Sequence, residues 1–265
     1  MRESSYARSP SAPAAAPGGD DVSLPELRRA MVEGRLFLVG QPILGLREDR
    51  VVQMELLVRL RDEHGRTVLP ARFLPLAESE GPVCELDRWV LERACRLAAS
   101  GRRVQMNVSA KTMCDRGFVD AAEDALARHG TPPRALTFEI TETALITDLH
   151  QAQLFAERLS ALGCAFALDD FGTGFAPLTY LKRLPIAYLK VDIEFVRDVM
   201  VDARSQALVG AVVHIAQALG LRTIAEGVED EATLRFLRRL GVDYAQGHHI
   251  GRPVELMDEC LEVRG

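Results

Sequence analysis

The sequence is poor in several features, and each absence narrows what the chain can be. It has no apolar run long enough to cross a membrane, and its amino-terminal stretch lacks the apolar core of a secretory leader. Five cysteines, Cys84, Cys95, Cys114, Cys164 and Cys260, are scattered without a Cys-x-x-Cys pair. An odd, unpatterned set of this kind reads as reduced, buried thiols in a cytoplasmic protein, not as a disulfide framework or a zinc motif. Basic residues are not in excess: 32 Lys and Arg stand against 38 Asp and Glu, a formal net charge of −6. That balance argues against sequence-independent binding of a nucleic-acid polymer. No internal repeat is evident.

What is present is a chain of 265 residues, 48% of them hydrophobic, enough for one barrel-sized core. Residues 1–21 are rich in Ser, Ala, Pro and Gly and are expected to form a disordered tail. The ordered domain is expected to be 22–265. Within it, 36–43 and 51–60 read as two strands whose short connection forbids a helical crossover, so they pair antiparallel. Thereafter strands and helices alternate. Strands are expected at 104–107, 136–140, 165–170, 188–191, 222–226 and 243–246. Helices lie between them, several stopped by glycine at Gly163, Gly220 and Gly241. Eight strands in this order predict an α/β fold, a TIM-type (β/α)8 barrel with one antiparallel strand.

The informative stretch is Ala165-Phe166-Ala167-Leu168-Asp169-Asp170-Phe171-Gly172-Thr173-Gly174. It is a buried strand that ends in two acids and a glycine turn. Carboxylates at the mouth of a buried strand are costly unless they meet cations. The other strand ends carry polar groups as well: Glu55, Asn107, Glu139, Lys190, Glu226 and Gln246. A parallel barrel gathers these ends on one face, where its active site lies. Glu55, Asn107, Glu139, Asp169 and Asp170 are hard oxygen donors suited to Mg²⁺ or Mn²⁺. No Cys or His sits at a strand end, which disfavours zinc. With Glu226 the acids number five, more than one Mg²⁺ needs, which implies two ions and phosphoryl displacement. Lys190 would orient the attacking water or meet a phosphate oxygen. A glycosidase needs fewer acids and no Asn or Lys. An enolase-type site is closer, but the adjacent Asp pair fits it less well.

In this order and spacing the motifs resemble the EAL domain, the cyclic di-GMP phosphodiesterase family. They run from Glu55-Leu56-Leu57-Val58-Arg59 through Asn107-Val108-Ser109, Glu139-Ile140-Thr141-Glu142, Asp169 to Gly174, Leu189-Lys190-Val191-Asp192 and Ala225-Glu226-Gly227-Val228-Glu229 to Gln246-Gly247. The similarity covers about Leu36 to Pro253. It implies metal-dependent hydrolysis of cyclic di-GMP to linear pGpG, with Glu55, Asn107, Glu139 and Asp169 on a first ion. Asp169 would bridge to a second ion that Asp170 helps hold, and Glu226 would bind that ion or position water. It further implies Lys190 on the nucleophilic water, and Gln41, Arg59, Asp192 and Gln246 toward substrate. Glu142 would anchor the loop from Phe171 to Pro177 that couples metal binding to a homodimer. Four positions depart from the pattern. Leu56 replaces Ala, Leu60 stands where a base-stacking Trp is common, the loop continues Phe175-Ala176-Pro177, and His248-His249 occupy aromatic positions. The alternatives are a cyclic di-GMP receptor without turnover, or an interaction domain on the same scaffold. Receptors and interaction domains usually lose metal ligands, and here all are kept. No sensory segment is recognised, so a regulatory input would come from an unidentified protein partner or the dimer interface.

Overall fold

A computed structural model of the chain describes residues 22–172 and 180–256. The expected tail, most of the Phe171–Pro177 loop and Cys260 lie outside the described residues. The strands are β1 (Leu36–Gly45), β2 (Arg50–Arg61), β3 (Thr67–Val68), β4 (Val104–Asn107), β5 (Leu136–Thr141), β6 (Ala165–Phe171), β7 (Tyr188–Val191), β8 (Arg222–Ala225), β9 (Tyr244–Gln246) and β10 (Val254–Glu255). The helices are α1 (Leu24–Val32), α2 (Leu74–Glu80), α3 (Val83–Ala99), α4 (Ala110–Met113), α5 (Arg116–His129), α6 (Glu142–Thr147), α7 (Leu149–Ala161), α8 (Ile193–Arg197), α9 (Ala203–Leu219) and α10 (Glu231–Leu240).

Eight strands close into a ring. From β2 through β4, β5, β6, β7 and β8 to β9 every neighbour is parallel. β1 closes the ring antiparallel to both β2 and β9. The fold is therefore the expected barrel with one reversed strand. β3 and β10 extend the sheet beyond the ring. Neither is legible in the sequence, because two residues cannot show alternation.

The local chemistry behind the long helices is plain. Asp148, Asp202 and Asp230 cap α7, α9 and α10 by accepting backbone N–H bonds in the first turn. Gly220 and Gly241 end α9 and α10 in the left-handed region. The short helices α4, α6 and α8 follow directly on β4, β5 and β7. They are too short for a 3.6-residue period to be read.

Alternation along the strands divides the core in two. The outer faces, with Leu56, Val58 and Leu60 of β2, pack against the helix layer. Leu56 therefore points away from Glu55, as expected. Leu60 is fully buried in that outer layer near the mouth end of β2, on the opposite face of the sheet from Arg59. The inner faces carry Ile43, Ala167, Tyr188, Ile224 and Tyr244 as a separate cluster. The Tyr188 and Tyr244 rings meet edge-on at 5.8 Å. Their hydroxyls accept from Arg103 Nη2 at 2.9 Å and Arg222 Nη1 at 3.0 Å, sealing the pole opposite the site. The expectation of buried thiols holds for Cys95 and Cys164. Cys84 is only partly buried and Cys114 is exposed, because Cys114 terminates α4 at the surface.

In the helix layer Phe118 is fully buried, 6.2 Å edge-on from Phe138 and 5.9 Å from Phe155. Phe118→Ala should lower unfolding stability by ~3–5 kcal/mol with an unchanged urea m-value. A urea titration followed by circular dichroism measures both.

Candidate active site

The polar strand ends converge on one buried ammonium. Lys190, 1% exposed, reaches inward from β7. Its Nζ lies 2.6 Å from Glu139 Oε2, 2.7 Å from Glu226 Oε1, 3.1 Å from Asp169 Oδ1 and 3.8 Å from Glu55 Oε2. A neutral network spreads from Glu55. Asn107 Nδ2 donates to Glu55 Oε1 at 2.9 Å. Gln246 Nε2 donates to Glu55 Oε2 at 2.6 Å and to Gln41 Oε1 at 3.0 Å. Gln41 arrives on the reversed β1 directly opposite Glu55. Glu55, Asn107, Glu139, Asp169, Lys190, Gln41 and Gln246 thus meet within one network, as their strand positions predict. Glu226 stands one residue beyond β8, and its N–H donates to Val191 O at 3.1 Å. Gly227 follows at φ +69, where a Cβ would lie 2.2 Å from Ile193 Cγ1.

The Asp169–Asp170 pair depends on an uncommon backbone. Asp170 has φ 54, a left-handed conformation that costs a non-glycine residue ~1–3 kcal/mol. This turn brings both carboxylates to one side of the strand end. Asp169, Asp170 and Glu226 each offer an oxygen within 4.8 Å of the others. The Asp170 N–H donates to Asp169 Oδ1 at 3.0 Å. Two residues on, the Gly172 N–H donates to Glu142 Oε2 at 3.0 Å, so Glu142 fastens the start of the loop. Thr173 to Pro177 lie outside the described residues.

Three residues sit at the edge of the network. Arg59 is buried at the mouth end of β2, with Nη1 donating to Val58 O at 2.8 Å. Burial holds its guanidinium below the usual value, against the pull of Glu55. Asp192 Oδ1 accepts from Glu194 N at 2.6 Å and caps α8. His249 Nε2 lies 3.1 Å from Glu231 Oε2, apart from the acid cluster. Asp87 belongs to no motif of the sequence. It is 1% exposed on α3, and its Oδ2 accepts from the Ser109 N–H at 3.0 Å. It thereby braces the turn that follows Asn107. An acid inside the apolar stripe of α3 was its sole signal.

Burial dominates the electrostatics. It pushes the Glu139 carboxyl far up, with Glu55 and Asp169 adding to the effect and Lys190 opposing it. Asp169 is raised for the same first reason. Glu226 is pushed up to about 8 by burial, with Asp169 and Glu55 repelling and Lys190 attracting. Asp170 is pushed up to about 9 by burial and then by Asp169, Glu226 and Asp192. Burial alone would discharge Lys190, but Asp169, Glu139, Glu226 and Glu55 outweigh it and hold the ammonium well above its usual range. One cation cannot neutralise this many acids. The donor set is all hard oxygen, and the oxygens of Asp169, Asp170 and Glu226 are close enough to share an ion. The residues fit Mg²⁺ or Mn²⁺.

A family model, the EAL domain, matches residues 25–253. The chain belongs to the EAL domain family. The cyclic di-GMP phosphodiesterase NbdA of Pseudomonas aeruginosa is 40% identical over 247 residues, 90% of this chain and 32% of that protein. The bifunctional diguanylate cyclase/cyclic di-GMP phosphodiesterase MucR of the same organism is 37% identical over 238 residues, 87% of this chain and 35% of that protein. The chain spans about a third of the length of these curated relatives. Among solved structures, the PaMucR phosphodiesterase in complex with c-di-GMP superposes with a TM-score of 0.83 at 36% identity, covering 87% of this chain and 96% of that one. Among the described residues of this EAL domain, no helix is long and apolar enough to cross a membrane.

The raised carboxyls have a thermodynamic sign. Between the ordinary carboxyl range near ~4 and their folded values of about 8 and about 9, Glu226 and Asp170 hold protons that the unfolded chain has released. Stability contributed by protonation is therefore lost as pH rises through that window. In EDTA-treated protein the melting temperature should fall from pH 6 to pH 9. Added Mn²⁺, which needs ionised ligands, should raise it more at pH 9 than at pH 6. Calorimetric melts at the two pH values measure this, and an equal Mn²⁺ effect at both would refute it.

Proposed function

We propose that this EAL domain hydrolyses cyclic di-GMP to linear pGpG at a two-ion Mg²⁺ or Mn²⁺ centre. The observation that carries the reading is the gathering of five carboxylates and Asn107 around buried Lys190 at the barrel mouth. The similarity to phosphodiesterases, one of them solved with c-di-GMP, supports the substrate.

Glu55, Asn107, Glu139 and Asp169 would hold one ion, and Asp169, Asp170 and Glu226 the other. Bound there, the ions would supply Lewis acidity and a nucleophile at neutral pH. The chain does the rest. Asn107 and Gln246 each donate to a different oxygen of Glu55 and fix the plane of its carboxylate. Lys190 keeps its charge and orients the attacking water against the scissile phosphorus. Arg59 and Gln41 at the mouth contact the dinucleotide, and Asp192 completes that wall through its cap on α8. Glu142 transmits the state of the following loop to Asp170, two residues before the N–H it accepts.

A homodimer fits the same reading. Val201, just before α9, and Leu208, within it, stand 87% and 49% exposed, apolar side chains that a second copy would cover. Light scattering should give twice the monomer mass, and Val201→Glu should halve it. A cytoplasmic location agrees with the partly or fully exposed free thiols Cys84 and Cys114.

The direct test is incubation with cyclic di-GMP and Mg²⁺ or Mn²⁺ followed by chromatography. Persistence of the cyclic substrate with tight Ca²⁺-supported binding would favour the receptor alternative. Glu55→Ala should abolish turnover with the fold intact by circular dichroism. Lys190→Ala should lower kcat by at least roughly a hundredfold, the scale of losing one preorganised electrostatic group. Substrate affinity measured with Ca²⁺ should stay within a few fold. Collapsed binding with near-normal turnover would make Lys190 a substrate clamp instead.

A further inference from the structure

The acid cluster stands on a second tier of inward-facing side chains, and one side of that tier is polar. Residues two apart on a strand share a face, and so do cross-strand partners. Gln53 lies two residues before Glu55 and pairs with Ile43. Gln105 lies two residues before Asn107 and pairs with Glu55 on one side and Thr137 on the other. Thr137 in turn pairs with Ala165. Gln53 is 4% exposed and Gln105 0%. Gln53 Nε2, Gln105 Nε2 and Gln105 Oε1 have no hydrogen-bond partner among the protein atoms. The rest of the inner face carries Ile43, the partner of Gln53, with Ala167, Tyr188, Ile224 and Tyr244. It offers apolar surface, with the tyrosine hydroxyls turned to Arg103 and Arg222.

A buried amide without a partner forfeits its hydration and gains nothing in exchange. Gln53 and Gln105 are diagonal neighbours on adjacent strands, since Gln105 pairs with Glu55, and native interiors seldom leave such atoms without partners. On β6, two strands along from Gln105, Ala165 and Ala167 present only methyl groups beside Thr137 and Glu139. Water is small enough to enter and can both donate and accept, which suits a site lined by two amides.

We infer that Gln53 and Gln105 hold ordered water in the centre of the barrel, beneath Glu55 and Asn107, and that this hydrated tier positions the side chains above it. Water there donates to Gln105 Oε1 and accepts from Gln53 Nε2 and Gln105 Nε2. Gln53 and Gln105 are positioning residues: each shares a strand and a face with a side chain of the cluster, so the water between them sets the depth at which Glu55 and Asn107 sit. The positioning role rests on the metal-centre reading of the site; the water does not.

A high-resolution crystal structure of the metal-free protein tests the water without any substitution. At least one ordered water within hydrogen-bond distance of both amides is expected. A direct Gln53–Gln105 amide pair with no water between them overturns the inference. The positioning role is tested by calorimetric Mn²⁺ binding to Gln53→Leu and Gln105→Leu. Affinity should fall on the order of tenfold, with melting temperature changed little because an amide and the water it holds have been replaced by apolar volume. Gln105→Asn keeps an amide, leaves room for one more water, and should recover most of the affinity. It also remains informative if a leucine variant does not fold. Wild-type Mn²⁺ affinity in both leucine variants overturns the positioning role. Absence of Mn²⁺ binding by the wild type overturns the metal-centre reading and the positioning role together, and the crystal structure still decides the water.

Discussion

The structure depends on one ammonium buried among acids. Lys190 is the sole cation in contact with Glu139, Asp169 and Glu226 among the described residues. Each of those carboxyls is pushed upward by burial. A cluster like this is a poor source of stability, since desolvation consumes most of the attraction between the ions. It persists because the barrel imposes it. Each acid sits at the end of a strand whose other residues are locked in the outer core or the inner plug. Sliding one strand to relieve the charge would turn its whole apolar set to the wrong face.

The barrel also explains why the neutral members of the site are amides. Asn107 and Gln246 donate to Glu55 without adding charge. They restrain a carboxylate while leaving the excess negative charge of the cluster intact. Arginines in the same places would have neutralised the acids. Asp170 works in the opposite direction: its left-handed backbone spends conformational energy to bring one more carboxylate to the strand end.

Much of this is legible in the sequence, for identifiable reasons. Strands buried on both faces give short apolar runs, and a polar residue at the end of such a run has few explanations other than a site. That logic locates Glu55, Asn107, Glu139, Asp169, Lys190 and Gln246, and the short link between β1 and β2 reveals the reversed strand. What escapes it lacks a periodic signature. β3, β10 and the short helices α4, α6 and α8 hold too few residues for alternation or a helical period. Asp87 hides in a helix whose other buried positions are apolar. Gln53 and Gln105 look like ordinary polar residues within strands, because their burial without protein partners shows only once the barrel has closed. Leu60 illustrates parity: one position after Arg59 on a strand is the other side of the sheet.

The reversed strand has a consequence for how the domain is wired. In a barrel whose strands all run one way, the chain enters the first strand at the pole away from the active site. Here Leu36 lies opposite Leu60, at the rim that carries the acid cluster, and Gly45 lies opposite Arg50 at the far pole. β10 returns along Val39 and Gly40, again on the rim half of β1. The polypeptide therefore both approaches and leaves the ring beside the entrance to the acid cluster. A fusion partner tethered through α1 or beyond β10 would crowd that entrance, and a pull on either lead would act on the rim directly. The hairpin tip at Arg47–Asp49 is the reverse case: exposed and a full strand length from the acids, it is the natural place to splice in a reporter without disturbing access.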